Sequence, residues 1–244
     1  MNLDESPLQP ISPQRKVIVA IDGPSGAGKS TIARHLARHF CLLNLETGAM
    51  YRAFGLKALR AAIPLDDGAG LEELAADTAI RLEPGEEENR VLLDDEDVTG
   101  LLRNPTVSDA ASRVSIFPNI RAWMVRLQKQ LGAAGGVVME GRDIGTVVFP
   151  NADVKIFLDA APEVRGLRRY DQQGQLGSGP SAQPDEVIRD LRARDARDRN
   201  RADSPLKPAA DAVLLDSTNM TLEEAVHAAE EIVAAKLKLP LAQQ

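Results

Sequence analysis

The stretch GPSGAGKS, residues 23–30, has the spacing G-x-x-x-x-G-K-[ST] of a phosphate-binding loop, and it stands between a predicted strand and a predicted helix. Glycines at these positions permit a turn whose backbone N–H groups point inward at phosphate oxygens. The helix adds its positive end, Lys29 a mobile charge, and Ser30 a hydroxyl suited to Mg²⁺. The motif therefore predicts a site for ATP or GTP. Its candidate residues are Gly23, Pro24, Ser25, Gly26, Ala27, Gly28, Lys29, Ser30 and Thr31.

A second chemical signal is the run RDARDRNR, residues 194–201, which holds four arginines and two aspartates in eight positions. On a helix, Arg194, Asp198 and Arg201 would share one face within about 60°. Arg197 would lie close to that face, whereas Arg192 and Arg199 would point elsewhere. Such a run predicts either a solvated helix face with salt bridges or a phosphate-binding site. Arginine suits the second, because the planar guanidinium binds phosphate oxygens at two points.

The composition narrows the choice of partner. The chain has 244 residues and a formal net charge of −7, which argues against general binding to nucleic-acid backbones, and its 3% of aromatic residues leaves few platforms for base stacking. The single cysteine, Cys41, excludes an internal disulfide. The sequence has neither a signal peptide nor an apolar run of about 18 residues. We therefore expect a soluble cytoplasmic protein that binds a small anionic ligand rather than nucleic acid or membrane.

Five nearly continuous apolar runs predict buried strands, at 17–22, 42–46, 137–140, 154–159 and 212–216. Helical patterns at 29–40, 118–131, 185–199 and 222–237 separate several of them. The predicted fold class is therefore α/β, with a five-stranded parallel sheet and helices on both faces.

Three segments depart from this alternation. The alternating runs TAIRLEPG and NRVLLDDEDVTG predict a small antiparallel sheet inserted at about 60–115. Residues 171–184, DQQGQLGSGPSAQP, have the composition of a mobile loop. Residues 1–15 are proline-rich and predict a disordered tail, which leaves 16–244 as one domain.

Five motifs, taken in order, resemble those of bacterial cytidylate kinases: IDGPSGAGKS, ETGAMYR, EGRDIGTVVFP, VKIFLDA and RDARDRNR. The resemblance runs from about residue 16 to the C-terminal helix. It implies a P-loop kinase core with an inserted nucleotide-monophosphate lobe at about 60–115 and a mobile lid at about 163–201. It also implies a monomer that uses ATP and Mg²⁺ to phosphorylate CMP or dCMP.

The resemblance also assigns roles to individual residues. It implies that Lys29, Arg142 and Asp143 are catalytic and that Ser30 is the metal ligand, while Asp22 and Asp143 stay open as outer ligands of the metal. The implied CMP-binding residues are Thr47, Arg52, Ser112, Arg121, Asp143, Arg194, Asp198 and Arg201. Among these, Ser112, Arg121 and Asp143 would read the cytosine. The sequence departs from the family at Glu46-Thr47, usually Asp-Ser, and at Glu140, usually Asp.

Several alternatives stay open at this point. A switch GTPase is disfavoured because no N-K-x-D motif follows. A kinase for another acceptor, such as UMP or shikimate, would share the phosphate loop but not the cytosine-reading residues. An RNA-binding module would use the arginine run instead. Thr47 could be only a helix cap, Ser112 and Arg121 could be ordinary helix-surface residues, and the sequence does not decide between CMP and dCMP.

Overall fold

The structure, a computed structural model, describes residues 16–83, 85, 89–175 and 183–239. The predicted tail at 1–15, and residues 176–182 of the predicted mobile loop, lie outside the described residues. In chain order the elements are β1 (Ile18–Asp22), α1 (Lys29–His39), β2 (Leu43–Glu46), α2 (Thr47–Arg60), α3 (Gly68–Ala76), β3 (Ile80–Glu83), β4 (Arg90–Leu93), β5 (Glu96–Asp97), α4 (Pro105–Val114), α5 (Pro118–Gly132), β6 (Val137–Gly141), β7 (Val154–Asp159), α6 (Pro162–Gln175), α7 (Pro184–Asn200), β8 (Val213–Asp216) and α8 (Leu222–Leu237). A short 3-10 helix spans Thr99–Leu101 and a π-helical turn spans Ile144–Val148.

The central sheet has five parallel strands, as predicted, and their order is β2-β6-β1-β7-β8. Alternate residues of β1 pack into two hydrophobic clusters on opposite faces. Val19 and Ile21 lie in the cluster that includes residues of α1 and α8. Ala20 lies in the other cluster, with Phe54 of α2 and Met124 of α5. Helices therefore cover both faces, which explains why the strands read as continuous apolar runs.

The carboxyl ends of the parallel strands lie along one edge of the sheet, where β7 and β8 extend two residues beyond β1. Asp22, the last residue of β1, pairs in register with Gly141 of β6 and Phe157 of β7. In an open α/β sheet this carboxyl edge is where ligands bind, because the loops that follow neighbouring strands meet there. Residues immediately after β1, β2, β6 and β7 are thus brought together.

The predicted antiparallel lobe is confirmed as a three-stranded sheet in the order β3-β4-β5. Ile80 pairs with Leu93 and Leu82 with Val91, and all four side chains are buried. The next helix, α4, begins with a side-chain cap, because Asn104 accepts a hydrogen bond from the Thr106 amide at 2.8 Å and Pro105 occupies the first turn.

Two boundaries in the second half of the chain correct the sequence analysis. The predicted loop at 171–184 begins inside a helix, since α6 continues to Gln175 and α7 already begins at Pro184. Arg201 lies just beyond α7, with an extended backbone (φ −65°, ψ 143°), so it does not continue the helical spacing from Arg194. Within the described part of the chain, no helix has both the length and the apolar character needed to cross a membrane.

Candidate active site

Residues 23–28 form the loop between β1 and α1, and its backbone conformation requires glycine. Gly23 has φ +151°, and a Cβ at this position would lie 1.9 Å from the Leu158 carbonyl oxygen of β7. Gly28 precedes α1 in the left-handed conformation (φ 95°), and no side chain caps the helix. The amides at the start of α1 therefore stay available to an anion, as the motif predicts.

Lys29 is buried at the start of α1, where its Nζ donates a hydrogen bond to the Pro24 carbonyl at 2.7 Å. Burial, with the positive charges of Arg142 and Arg194 nearby, lowers the pKa of Lys29 to about 7. A buried cation close to other cations is electrostatically unfavourable unless an anion binds beside it. The surroundings of Lys29 thus favour a bound phosphate.

Three carboxylates lie near the phosphate loop, and they differ in what their oxygens contact. Asp22 accepts hydrogen bonds from the amides of Ile144 and Gly145, both at 2.7 Å, and burial raises its pKa to about 6. Asp143 pairs with Arg121. Glu140, near the end of β6, lies beside Ser30, and burial together with Glu46 raises its pKa.

One oxygen of the Glu140 carboxylate is left available by the described residues. Its Oε1 is buried and has no hydrogen-bond partner among the described residues. The sequence analysis considered Asp22 and Asp143 as outer metal ligands, yet one is used to hold a backbone turn and the other an arginine. The adjacency of Glu140 and Ser30 depends on the alignment of β6 beside β1, and no local motif reports it.

The three residues proposed to read cytosine lie together on the acceptor side. Arg121 of α5 and Asp143 form an ion pair with side chains only 4% and 8% exposed. The Arg121 guanidinium also lies over the Tyr51 ring, 6.0 Å from its centroid, a contact that the sequence analysis missed. Burial raises the pKa of Tyr51 to about 12, so this ring stays neutral.

Ser112 of α4 completes this group. Its hydroxyl is buried and has no hydrogen-bond partner among the described residues. Ser115 links it to the arginine, because Ser115 Oγ donates to the Ser112 carbonyl at 2.9 Å and the Ser115 carbonyl accepts from Arg121 at 3.4 Å. The reading of Ser112 and Arg121 as helix-surface residues is therefore wrong.

Three arginines surround Asp198: one follows β6, one lies in α7 and one follows α7. Arg142 Nε donates to its carboxylate at 2.9 Å, and Arg201 Nη1 lies 3.7 Å from it. Burial acts to raise the pKa of Asp198, but Arg142, Arg194 and Arg201 lower it overall. Two buried donors here, Arg194 Nε and Arg201 Nη2, have no partner among the described residues. Burial and the charge of Arg142 lower the pKa of Arg194 to about 9.

The other arginines in and beside the run are more exposed, and the sequence analysis predicted this for Arg192 and Arg199. Arg192 and Arg199 are exposed; Arg192 pairs with Glu163, and Arg199 lies 3.5 Å from Asp159. Arg197, placed near the functional face by the sequence analysis, instead contacts Asp109 of α4 at 3.4 Å. The run therefore combines buried and solvated arginines.

Thr47 and Arg52 of α2 both have partners within the protein. The Thr47 hydroxyl donates to the Glu140 carbonyl at 2.7 Å, so it ties β2 to β6 and is not a helix cap. Arg52 pairs with Glu46. A second partly buried arginine, Arg169 of α6, lies close to Arg52, and burial together with the charge of Arg52 lowers the pKa of Arg169. The sequence analysis did not single out Arg169.

Arg165 of α6, also missed, ties three segments together. Its guanidinium donates to the Ala160 carbonyl at 2.7 Å, the Ser25 carbonyl at 2.8 Å and the Asp195 carboxylate of α7 at 2.5 Å. A buried arginine with these partners fixes α6 and α7 against the phosphate loop.

A cavity of about 970 Å³ opens beside this arginine. Asp159 and Ala160 at the end of β7, and Asp216 and Thr218 at the end of β8, form part of its wall. The cavity is within the size range of small-molecule sites and adjoins the phosphate loop through Arg165.

A parallel sheet with a phosphate loop after β1, a buried lysine and facing arginines defines a P-loop phosphotransferase. The sequence profile of a family described as cytidylate kinase matches residues 19–235. The chain belongs to this family, as predicted.

Individual relatives agree with the profile. A cytidylate kinase of Solibacter usitatus (strain Ellin6076) is 46% identical over 224 residues, which cover 92% of this chain and 95% of the relative. One of Pasteurella multocida (strain Pm70) is 44% identical over 211 residues, which cover 86% and 92%. Among solved structures, a shikimate kinase from Acinetobacter baumannii in complex with shikimate has a TM-score of 0.42 and 16% identity over 91% of this chain and 93% of that one. That likeness is too weak to bear on the acceptor.

Proposed function

We propose that this protein transfers the γ-phosphoryl group of ATP to CMP or dCMP, giving ADP and CDP or dCDP. Membership of the cytidylate kinase family supports the reaction. The single observation that carries it to these residues is the convergence of buried Lys29 with the partly buried Arg142 and Arg194, three cations with incomplete compensation. Such a group suits a phosphate chain and its transition state, because charge spreads over the transferring oxygens.

The acceptor base would lie between α4, α5 and the turn after β6. Cytosine presents an amino donor beside two acceptors, and a carboxylate, a guanidinium and a hydroxyl match that edge. We assign the amino group to Asp143 and the acceptors to Arg121 and Ser112, whose buried hydroxyl has no partner among the described residues. Uracil carries a carbonyl in place of the amino group, so its oxygen would face the Asp143 carboxylate and the two acceptors would repel each other.

The acceptor sugar and phosphate would contact the arginine cluster. We assign the sugar to Arg194 and Asp198, and the phosphate to Arg52 and Arg201. The unpartnered donors Arg194 Nε and Arg201 Nη2 support this assignment, because buried donors are rarely left unpaired. Phosphate is a strong acceptor for such charge-assisted hydrogen bonds. The Thr47 hydroxyl would act only as an acceptor toward the nucleotide, because it already donates its proton to the Glu140 carbonyl.

A Mg²⁺ ion fits the residues beside the phosphate loop. Oxygen ligands are those that Mg²⁺ prefers, and Ser30 with the available Oε1 of Glu140 supplies two, directly or through water. When bound with ATP, the ion would neutralise charge on the β- and γ-phosphates. Lys29 and Arg142 would neutralise the remaining oxygens, and an oxygen of the acceptor phosphate would attack the γ-phosphorus while ADP leaves.

The donor nucleoside would occupy the 970 Å³ cavity beside Arg165, which continues from the phosphate loop. We also propose that α6 and α7 act as the lid over both nucleotides. Its closure would exclude water, which otherwise hydrolyses ATP.

A coupled assay of ADP formation tests the function directly. With ATP and Mg²⁺, we expect turnover with CMP and dCMP and little with UMP, AMP or shikimate. Turnover with shikimate or UMP above that with CMP would replace the proposed acceptor. Tight, salt-sensitive RNA binding that is indifferent to CMP would instead favour the RNA-binding alternative. The monomeric state and cytoplasmic location stay predictions, the first checked by sedimentation.

A further inference from the structure

All three histidines of the chain lie around one carboxylate, far from the nucleotide cleft. His35 and His39 stand four residues apart on α1, so they share a face, and Glu230 faces them from α8. His35 Nε2 lies 2.6 Å and His39 Nδ1 3.0 Å from the same oxygen, Glu230 Oε1. His39 is the last residue of α1, about 15 Å along the helix from Lys29.

We propose that His35, His39 and Glu230 form a binding site for a divalent transition-metal ion, with Zn²⁺ as the preferred ion. Two histidines at i and i+4 on one helix face, completed by a carboxylate, supply three ligands that zinc binds well. The three ligand atoms lie within 4.8 Å of one another. Nothing in the kinase reaction uses these residues, so the site would be separate from catalysis.

The imidazoles already present the required nitrogens. In the neutral tautomer that carries its proton on the far nitrogen, each ring directs a lone pair toward Glu230 Oε1. Bond lengths near 2.1 Å in a tetrahedral site place ligand atoms about 3.4 Å apart. The carboxylate would therefore withdraw by less than about 1 Å to admit the ion.

The exposure of His35 and the position of His227 are also consistent with a metal site. The His35 side chain is 45% exposed, which gives an ion access from solvent and leaves a position for water. His227 Nδ1 lies 3.7 Å from the other oxygen, Glu230 Oε2, where it would orient the carboxylate as an outer partner. The imidazole nitrogens favour Zn²⁺, Ni²⁺ or Cu²⁺ over Mg²⁺, which prefers oxygen.

Metal binding here would join two helices of one core. Residues of α1 and α8 pack in the same hydrophobic cluster, and the ion would link the end of α1 to the middle of α8. Because the three ligands come together only in the folded chain, Zn²⁺ at 100 times its Kd should raise the Tm by about 5 to 10 °C.

The test is a titration of Zn²⁺ into the untagged full chain, with excess Mg²⁺ present to occupy the nucleotide cleft. We expect saturable binding of one ion per chain, at least tenfold weaker in His39→Gln and in Glu230→Gln. Co²⁺ should give the intense visible absorption of a tetrahedral site. Thermal melts without metal establish that each variant is folded, and His35→Gln serves in place of any variant that is not.

Two matched controls locate the site. Glu231→Gln removes the same charge from the neighbouring position of α8, and Cys41→Ser removes the exposed thiol that follows α1. Both should keep the zinc affinity and the increase in Tm. Absence of saturable binding, or binding that is lost in Cys41→Ser but kept in Glu230→Gln, would overturn the proposal, leaving the cluster as a set of surface hydrogen bonds.

Discussion

Arg142, directly after β6, donates a hydrogen bond from Nε to the Asp198 carboxylate of α7 at 2.9 Å. The contact joins the binding edge of the sheet to the second helix of the proposed lid. Asp198 is buried and compensates several arginines at once, so it holds their charges near the cleft without neutralising all of them. The arginine cluster is therefore assembled by the protein before any phosphate arrives.

Lys29→Ala should lower turnover by at least about 100-fold, a loss typical of a charged group that stabilises a transition state. The unfolding free energy should not fall, because burial in a cationic setting already disfavours the lysine charge. Steady-state kinetics with varied CMP, together with a thermal melt, check both statements. Near-normal turnover would remove Lys29 from the mechanism.

ATP binding should be accompanied by proton uptake at about pH 8. Without nucleotide the Lys29 pKa of about 7 leaves its amine mostly neutral at that pH, and arriving phosphates raise the pKa again, so a proton binds. Calorimetric titration in buffers of different ionisation enthalpy measures the uptake. The variant Lys29→Met should lose it, and uptake of equal size in that variant would assign the proton to another group.

Ser112→Ala and Ser115→Ala separate base reading from stability. The Ser112 hydroxyl has no described partner, so its removal should leave the Tm unchanged or higher, while the KM for CMP rises about three- to tenfold. Ser115 Oγ bonds the Ser112 carbonyl, so its removal should cost about 1 kcal/mol of stability with a smaller change in KM. Equal KM values for the two variants would remove Ser112 from the base-binding site. This pair is preferable to Asp143→Asn, which would leave the buried Arg121 unpaired.

Local patterns in the sequence were sufficient to predict the strands of the central sheet and the phosphate loop. The apolar runs mark the strands of the central sheet to within one residue, because the three inner strands are buried on both faces, and the loop motif is contiguous. The helix α2 was not predicted, because it buries residues around much of its surface, including Met50, Phe54 and Gly55, and lacks a clear polar face. The helix α6 was not predicted either, and its glutamine-rich end was taken as a loop.

Contacts between distant segments limit the prediction of the site. Tyr51 meets Arg121 only because α2 packs near α5, and Arg165 reaches Ser25 only because α6 follows the strand beside the phosphate loop. The same holds for Glu140 of β6 and Ser30 of α1, which meet because β6 lies beside β1, the strand that leads into the phosphate loop. None of these pairs has a sequence spacing that would indicate it.

Glu140→Gln should raise the Mg²⁺ concentration needed for half-maximal activity, because the amide replaces an anionic oxygen ligand with a neutral one. Burial and Glu46 raise the pKa of Glu140, so its ionised form costs stability above that pKa and the neutral amide should not lower the Tm. Assays at varied Mg²⁺ with saturating CMP measure the shift. An unchanged Mg²⁺ requirement would exclude Glu140 as a metal ligand.

Arg201→Ala and Arg189→Ala remove the same charge from one segment in two different settings. The Arg201 side chain is 4% exposed and has a buried donor without a partner among the described residues, whereas Arg189 is exposed on α7. If the run were only a solvated helix face, both changes would have small effects, since exposed pairs contribute about 0 to 1 kcal/mol. A phosphate contact of about 1.5 to 3 kcal/mol predicts that Arg201→Ala lowers kcat/KM for CMP by about ten- to a hundredfold. Arg189→Ala should change it by less than about twofold. Steady-state kinetics with varied CMP at saturating ATP make the comparison, and equal, small effects would return Arg201 to a structural role beside Asp198.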